Sequence, residues 1–248
     1  HSSAKECLSI LRRICKYAAH LRLIRPMEIC VTLPQEPHKK TEPLTSKEQK
    51  AIEEFVLQNP TPRKVGLLLG IQLGLRIGEI CGLQWGDFDF IKNTLKIQRT
   101  VCRICCGNGH TKVVVQTPKT CSSRREIPLP KYLISVLKSI RKMQSDSAYL
   151  LSGCEDRPVE PRCYRKSIQC YLKQAKLRLV NPHTLRHTFA TTCLQAGCDI
   201  KTLSELLGHS SPNITLQRYV HSDLARKRRE IDRIFSTRSG VYKGQKII

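Results

Sequence analysis

Six residues spread over the chain carry side chains suited to phosphate chemistry: Arg76, Lys119, His183, Arg186, His209 and Tyr219. The set contains two guanidiniums, an ammonium, two imidazoles and a phenol. A guanidinium can donate two hydrogen bonds to two oxygens of one phosphate. A phenol becomes a nucleophile where a base or an electropositive pocket helps to remove its proton. The combination predicts a protein that grips a phosphodiester and attacks it covalently.

The arginines are expected to act together on one phosphate. His183 and Arg186 lie three residues apart in NPHTLRHTFA, so a helix would place both on one face. Arg76, in GLRIGEICGLQW, is the second guanidinium. Two such groups would neutralise the charge that grows on a pentacoordinate phosphorus during phosphoryl transfer. For any single arginine in so basic a chain, a surface ion pair or a contact with the DNA backbone is the alternative.

Three further segments complete the pattern: TPKTCSSRREIPL around Lys119, ELLGHSSP around His209 and LQRYVH around Tyr219. With them the chain resembles the tyrosine recombinases, or phage-type integrases, from about residue 44 to about residue 234. The order Arg, Lys, His-x-x-Arg, His, Tyr follows the family's pattern without a departure. The long connection at 102–110 and the TPKTCSSRREIPLP context are most similar to integrases of conjugative transposons of Gram-positive bacteria.

The resemblance implies a role for each of these residues. Tyr219 would attack the phosphorus and form a covalent 3′-phosphotyrosine link, while the 5′ oxygen of the DNA leaves as a hydroxyl. Lys119 would protonate that oxygen as the general acid. His183 would act as a base toward Tyr219 or as a donor to the phosphate. His209 would donate a hydrogen bond to a non-bridging oxygen.

Other residues in the same segments are expected to be structural. Glu79, three residues after the first arginine, should orient that arginine rather than perform chemistry. His187 is interpreted as a structural histidine. Trp85 and Asp87, in LQWGDF, match the family's helix-to-sheet junction and are expected to serve packing and a turn.

One cysteine cluster has spacing typical of metal ligands. Cys102, Cys105, Cys106 and His110 form a single knuckle, and Cys121 is a further ligand if two strands bring it near. A structural zinc site usually needs two such knuckles, so a cysteine-rich hairpin tip is the favoured interpretation and zinc the alternative. The thirteen cysteines are expected to be mostly reduced and buried. No cofactor is predicted.

Hydrophobic periodicity predicts helices over most of the chain. A basic amphipathic helix is expected at 4–24. Thr45 and Glu48 form a capping-box pattern ahead of a helix to about Leu57, and 64–73 should form a more apolar, central helix. Further helices are predicted at 131–143, 162–177, 184–195, 200–207, 212–219 and 223–235.

Short β-type runs interrupt the helices between residues 85 and 128. They read TLKIQRTV, TKVVVQT and REIPL, and the segment CRICCGNGH is predicted to be the tip that joins the first two. The fold class is therefore mainly α with a small antiparallel β-sheet (α+β). The resemblance implies the tyrosine recombinase catalytic-domain fold.

Composition suggests four parts. Residues 1–33 are predicted to be the C-terminal remnant of a helical core-binding domain, and the proline-rich 34–44 to be a linker. Residues 45–235 should form the catalytic domain, ending in an exchange helix, and 236–248 a basic tail. The chain begins with His1 rather than Met, so we expect a fragment of a longer protein with a weakened grip on DNA.

The formal net charge of +23 predicts double-stranded DNA as the partner, with an anionic membrane as the less favoured alternative. No stretch approaches ~18 uninterrupted apolar residues, so no membrane association is expected. The chain opens with no charged-then-apolar leader, which argues against secretion. The expected location is the bacterial cytoplasm, with the nucleoid.

The resemblance also implies assembly and a biological role. The protein would act as a homo-oligomer on DNA, from dimer to tetramer in the synaptic complex, with the 223–235 helix docking on a neighbouring protomer. A DNA-bending or directionality factor would be a further partner. The role implied is integration and excision of a mobile element.

Two other functions stay open from the sequence. A type IB topoisomerase-like enzyme would use related chemistry to relax DNA, and a DNA-binding accessory protein would keep the basic fold without turnover. A two-metal mechanism is disfavoured because the chain has only twenty acidic residues and none is grouped in these segments.

Overall fold

The computed structural model describes residues 2–31, 33, 42–107, 109–117, 123–219, 228 and 231–232. The chain divides into two compact units, His1–Thr41 and Glu42–Ile248. The four-part division of the chain remains a prediction. Within the described ranges, no helix is long and apolar enough to cross a membrane.

The first unit contains a single long helix in its described part, α1 (Ser2–His20). It ends four residues before the predicted end, because Arg22 takes a left-handed conformation with φ 56°. The Leu23 N–H then donates to Ala18 O and the Arg22 N–H to Ala19 O, a Schellman closure in which arginine replaces the usual glycine. The Arg12 side chain donates to Ile29 O at 3.0 Å and holds the following segment against the helix.

The second unit is mainly helical, as predicted. The described ranges of this unit contain the helices α2 (Ser46–Gln58), α3 (Pro62–Gln72), α4 (Ile77–Gly82), α5 (Lys131–Arg141), α6 (Pro161–Gln174), α7 (Pro182–Gln195), α8 (Ile200–Leu207) and α9 (Pro212–Tyr219). Of the predicted helix 223–235, the described residues are Arg228, Ile231 and Asp232, which are helical.

Local sequence signals place α2 and α3 correctly. The capping box is confirmed: Glu48 N–H donates to Thr45 Oγ1, and Thr45 N–H donates to the Glu48 carboxylate at 2.7 Å. Helix α3 begins at Pro62, two residues before the predicted start, because Thr61 accepts from Lys64 N–H and proline fits the first helical turn. The predicted central position is confirmed, since the α3 residues from Val65 to Ile71 are all buried.

The strands form two antiparallel sheets instead of one. A three-stranded sheet has the order β1 (Phe88–Asp89), β2 (Thr94–Ile97), β5 (Arg125–Pro128), and a separate pair joins β3 (Thr100–Cys105) to β4 (Thr111–Gln116). The single predicted strand TLKIQRTV is therefore wrong.

The break between β2 and β3 has a local cause. Gln98 and Arg99 both donate to the buried carboxylate of Asp87, Arg99 at 2.7 Å, which turns the chain out of the first sheet. Asp87 also accepts from Gln84 N–H at 2.8 Å. The turn expected at Asp87 is thus confirmed, and Trp85 is fully buried as expected for a packing residue.

The β3–β4 hairpin corrects the interpretation of the cysteine cluster. Cys102 and Cys105 lie inside β3, opposite Val114 and Thr111, and only the following residues form the tip. A separation of three residues along a strand directs these two side chains to opposite faces. The described residues, which exclude 108 and 118–122, contain no group of three or more side chains able to hold a metal ion. Cys121 lies outside them.

The expectation that the cysteines are mostly buried is wrong for the described part. The described part holds twelve cysteines, and only Cys81 is buried. Burial raises the pKa of the Cys81 thiol well above its ordinary value. Cys193 is half-buried, and burial raises the pKa of its thiol to about 11.

A small apolar cluster holds α8 against α7. It comprises Phe189, Ala190, Leu194, Leu203 and Leu207, and Leu207 is the last residue of α8. The cluster therefore fixes the C-terminal end of α8, where the candidate site lies.

Candidate active site

Four of the six predicted residues line one cleft with a volume of about 320 Å³. Arg76 lies at the N-terminus of α4, His183 and Arg186 lie in the first turns of α7, and His209 follows the end of α8. The rest of the lining comes from Ser123, Gly208, Ser210 and Ile214. Three segments distant in sequence thus bring two guanidiniums and two imidazoles together.

The C-terminus of α8 organises the arginines of this site. Arg125 Nε donates to Leu206 O at 2.7 Å, Arg186 Nη2 to Leu207 O at 2.6 Å, and Arg76 Nη2 to Gly208 O at 3.0 Å. The last carbonyls of a helix lack partners within the helix and carry its negative dipole end, so cations are favoured there. We call this arrangement the α8 hub.

Arg186 is the more deeply held of the two predicted arginines. It is 5% exposed. Its Nη1 donates to Gly74 O at 2.6 Å, in addition to the bond to Leu207. Gly74 has φ 64°, a left-handed conformation that glycine adopts without steric cost, and this turn aims its carbonyl at the guanidinium. The guanidinium of Arg186 is therefore held in one orientation by the backbone carbonyls of Gly74 and Leu207.

Arg76 is held by Glu79, as the sequence predicts. Arg76 Nη1 donates to Glu79 Oε1 at 2.7 Å, and Arg76 N–H donates to Oε2 at 2.9 Å. The Arg76 side chain is 36% exposed and the Glu79 side chain 4%. Burial alone would raise the pKa of Glu79, but hydrogen bonds and charge from Arg125, with the charge of Arg76, lower it to about 2.

Arg125 is the site residue that sequence reasoning missed. Its two η nitrogens donate to the two oxygens of Glu79 at 3.0 and 2.9 Å, and its side chain is 6% exposed. A signal was present, since arginine opens the β-type run REIPL soon after the predicted lysine. Nothing in the local pattern, however, indicates a partner 46 residues away.

His209 is oriented from both sides by its neighbours. Gly208 takes φ 63° and closes α8, and the His209 N–H donates to Ser204 O at 3.0 Å. His209 Nδ1 shares a hydrogen bond of 2.8 Å with Thr215 Oγ1, whose residue is fully buried in α9. His183 is exposed and faces the cleft, whereas His187 is half-buried and does not line it.

The catalytic roles of all six residues stay predictions, and the side chains of two of the six lie outside the described part of the chain. Lys119 lies outside the described residues. Tyr219 is the last residue of α9, and its side chain is outside the described part of the chain. The helix that carries it contributes Ile214 to the cleft wall and Thr215 to the orientation of His209.

The arrangement is suited to bind an anion. Arg76, Arg186, His183 and His209 line the cleft, and the described acidic residue next to it, Glu79, is already shared between two arginines. A phosphate would meet directed donors on rigid supports, the arrangement that stabilises charge in a transition state.

Comparison of the sequence with known proteins identifies the family. The model of the phage integrase family matches residues 42–226. The chain is 33% identical to a XerC-like tyrosine recombinase of Caldanaerobacter subterraneus over 217 residues, which cover 77% of this chain and 54% of that protein. It is 30% identical to the integrase of Staphylococcus phage L54a over 161 residues, which cover 60% and 44%. The chain thus spans about half the length of the curated relatives it matches.

Solved structures have the same fold. The Tn1549 transposon integrase, in complex with a circular intermediate DNA, superposes with a TM-score of 0.74 at 22% identity, covering 94% of this chain and 79% of that one. The XerA recombinase superposes with a TM-score of 0.59 at 23% identity, covering 91% and 72%. The predicted α+β catalytic-domain fold is confirmed, and the chain belongs to the phage integrase family of tyrosine recombinases.

Proposed function

We propose that this protein is a site-specific DNA recombinase, an integrase that cuts and rejoins double-stranded DNA through a covalent 3′-phosphotyrosine at Tyr219. The role would be integration and excision of a mobile element in the cytoplasm of a bacterium. The relatives are named tyrosine recombinases and integrases, and the Tn1549 integrase was solved with DNA. The net charge of +23 suits the same partner.

The observation that carries the proposal is the cleft itself. Two guanidiniums and two imidazoles from distant segments face one volume of about 320 Å³. The helix α9, which ends at Tyr219, forms part of its wall through Ile214. A lone arginine on a basic surface needs no such convergence.

The proposed reaction assigns each group one task. Arg186 and Arg76 bind the non-bridging oxygens and offset the charge that grows on phosphorus, with His209 as a third donor. The Tyr219 oxygen forms a bond to phosphorus, while its proton passes to His183 or to water. The bond to the 5′ oxygen breaks, and Lys119 supplies the proton that completes the 5′ hydroxyl. Rejoining runs the same steps in reverse.

Assembly is part of the proposal. A recombination product needs two duplexes, so the protein would act as a homo-oligomer of two to four copies on DNA, with the 223–235 segment docked on a neighbouring copy. A DNA-bending or directionality factor would select between integration and excision. Deleting residues after 235, and then from 223, should progressively abolish cooperative assembly in a gel-shift titration. Unchanged assembly would contradict the docking.

The direct test is a nicked suicide substrate that carries the junction sequences flanking the element. The unaltered protein should form a protein–DNA adduct that survives denaturant, and Tyr219→Phe should form none. Tyr17→Phe is the matched control, since Tyr17 is 65% exposed in the first unit. An adduct from Tyr219→Phe, or none from the folded protein on its own site, would overturn the proposal.

A plasmid-relaxation assay and a DNA-binding titration, run beside the adduct assay, separate the other two functions. Relaxation of supercoiled DNA without site preference or synapsis would indicate a topoisomerase-like enzyme. Specific DNA binding with no adduct would indicate an accessory protein.

A further inference from the structure

We propose that Arg125 is a positioning residue of this site, which takes up the negative charge of Glu79 so that Arg76 keeps its own positive charge for the phosphate. The inference rests on the proposed function, because the anion it serves is the DNA phosphate. Arg125 does not line the cleft and touches no substrate atom in this scheme.

Glu79 lies between two arginines and bonds both with both oxygens. Arg76 uses Nη1 and its backbone N–H, at 2.7 and 2.9 Å. Arg125 uses Nη1 and Nη2, at 3.0 and 2.9 Å, which is the bidentate geometry of an arginine–carboxylate pair. One carboxylate is therefore shared by two cations.

The two arginines differ in what they face. The Arg76 side chain is 36% exposed and lines the cleft, whereas the Arg125 side chain is 6% exposed. Arg125 is committed to protein partners, with Nε on Leu206 O at 2.7 Å and Nη1 also on Ser123 O at 3.3 Å. The charge of Arg125 offsets the charge of Glu79 inside the protein, and the charge of Arg76 faces the cleft.

Charge balance explains why both are needed. Glu79 orients Arg76, but a lone Glu79–Arg76 pair has no net charge and would attract a phosphate poorly. Adding Arg125 makes the group of three carry a net single positive charge. At the wall of a partly buried cleft, where the effective dielectric is lower than that of water, this difference acts on an anion a few ångströms away.

The bonds to Leu206 and Ser123 give Arg125 a second effect on geometry. They join the start of β5 to the α8 hub, next to the carbonyls that hold Arg186 and Arg76. Ser123, whose carbonyl Arg125 holds, is itself a residue of the cleft wall. Arg125 thus connects the strand, the carboxylate and the helix end.

The test is a charge-compensation experiment with the full chain. At saturating DNA, Arg125→Met should slow adduct formation by about 10- to 100-fold, less than the loss of a donor that contacts the phosphate directly. Arg124→Met, at the exposed neighbouring position, should stay within about twofold at the same saturation. Adding Glu79→Gln to Arg125→Met should restore about tenfold of the lost rate, because the uncompensated carboxylate is gone.

If Arg125 only supported the fold and did not offset the charge of Glu79, the rates of adduct formation in these variants would follow a different order. The double variant would then be no faster than Arg125→Met, and this result would overturn the proposal. Arg125→Lys keeps the positive charge and loses the planar guanidinium that bonds both oxygens of Glu79. It is the control for the case in which Arg125→Met does not fold. It should retain more activity than Arg125→Met, and equal loss in two folded proteins would also count against the proposal.

A second measurement needs no covalent chemistry. Binding of inorganic phosphate, followed by NMR signals of the arginine side chains, should weaken by about tenfold in Arg125→Met and remain unchanged in Arg124→Met. If the unaltered protein forms no adduct, the proposed function fails, yet phosphate affinity still decides the role of Arg125. Equal phosphate affinity in all variants would contradict the proposed role of Arg125.

Discussion

The α8 hub and the β3–β4 hairpin show two ways in which this chain places charged side chains. At the hub, arginines from three distant segments meet three successive carbonyls, and two of those arginines are almost fully buried. In the hairpin, Arg103 pairs with Glu160 on a partly exposed surface, with 28% and 18% of the side chains accessible. Both arrangements join distant segments, so the two regions differ mainly in how far water reaches the charged side chains.

This difference predicts where substitutions are costly. A substitution at the hub leaves buried carbonyls or charges without hydrogen-bond partners. Water does not reach these groups to replace the lost bonds, so the folded state is destabilised. A change in the hairpin exposes groups that are already partly hydrated. Matched substitutions in the two regions measure this difference in cost.

The largest effect on stability is expected at Gly74. Both Gly74, with φ 64°, and Gly109, with φ 74°, are left-handed, so alanine costs about 1–2 kcal/mol of backbone strain at either position. At Gly74 a Cβ would also lie 2.4 Å from Phe189 Cδ1 and 2.9 Å from Leu207 Cδ2. Overpacking adds about 1–3 kcal/mol there.

Denaturant unfolding measures this difference. Gly74→Ala should lower the free energy of unfolding by about 2–5 kcal/mol, and Gly109→Ala by no more than about 1–2 kcal/mol. Gly109 is a matched control because, apart from its chain neighbours, no atom of the described residues lies within 4 Å of its added Cβ. Equal losses would show that packing at the hub is not tight.

The buried carboxylate of Glu79 should make the free energy of unfolding depend on pH in the acid range. The pKa of Glu79 is about 2 in the folded protein against an ordinary 4.5, so the unfolded state binds the proton first as pH falls. Folding is stabilised by roughly 3 kcal/mol above pH 4.5, and this contribution is lost between pH 4.5 and about 2. Glu79→Gln should remove that slope from unfolding free energies measured across this window.

Glu160, the N-cap residue of α6 that pairs with Arg103 of the hairpin, is the control for the acid experiment. A hydrogen bond from Arg103 lowers the pKa of Glu160, but the pair is accessible to water, so Glu160→Gln should leave the slope nearly unchanged. If the two variants lost the same slope, the buried position of Glu79 would not matter to its titration.

A smaller effect is expected at Thr215. Thr215→Val keeps the side-chain shape and removes the hydroxyl bonded to His209 Nδ1, at a cost of about 1 kcal/mol in unfolding free energy. The freed ring would also orient less well, so adduct formation should slow by less than about tenfold. Thr192→Val, at an exposed position of α7, should change neither quantity. A stable variant with unchanged adduct formation would show that Thr215 does not orient His209.

Local signals explain how much of this could be predicted from sequence. The capping box at Thr45 and the apolar run of α3 are encoded within a few residues, and both are confirmed. Helix α4 was missed because its six residues are too few to show a helical period. The strand break at Gln98 and Arg99 depends on the buried carboxylate of Asp87, more than ten residues earlier.

In the candidate site, too, the features that depend on residues distant in sequence could not be predicted from local motifs. The identities of Arg76, His183, Arg186 and His209 came from short motifs, and the structure brings all four to one cleft. The role of Arg125 could not be predicted, because its partners Glu79 and Leu206 are 46 and 81 residues away. Short motifs identify the residues that line the cleft, whereas the residues that hold them in place are identified by three-dimensional contacts.

The smallest effect is expected at Arg103, the hairpin's counterpart of Arg125. Both arginines make bidentate contacts with a glutamate, Arg103 to Glu160 at 2.6 and 2.8 Å. The Arg103–Glu160 pair should contribute less because water reaches both of its side chains, whereas the side chains of Arg125 and Glu79 are 6% and 4% exposed. Arg103→Met should therefore leave the unfolding midpoint within experimental error, while Arg125→Met lowers it clearly. A comparable loss in both proteins would mean that pairing geometry, rather than burial, decides the stability that an arginine contributes in this fold.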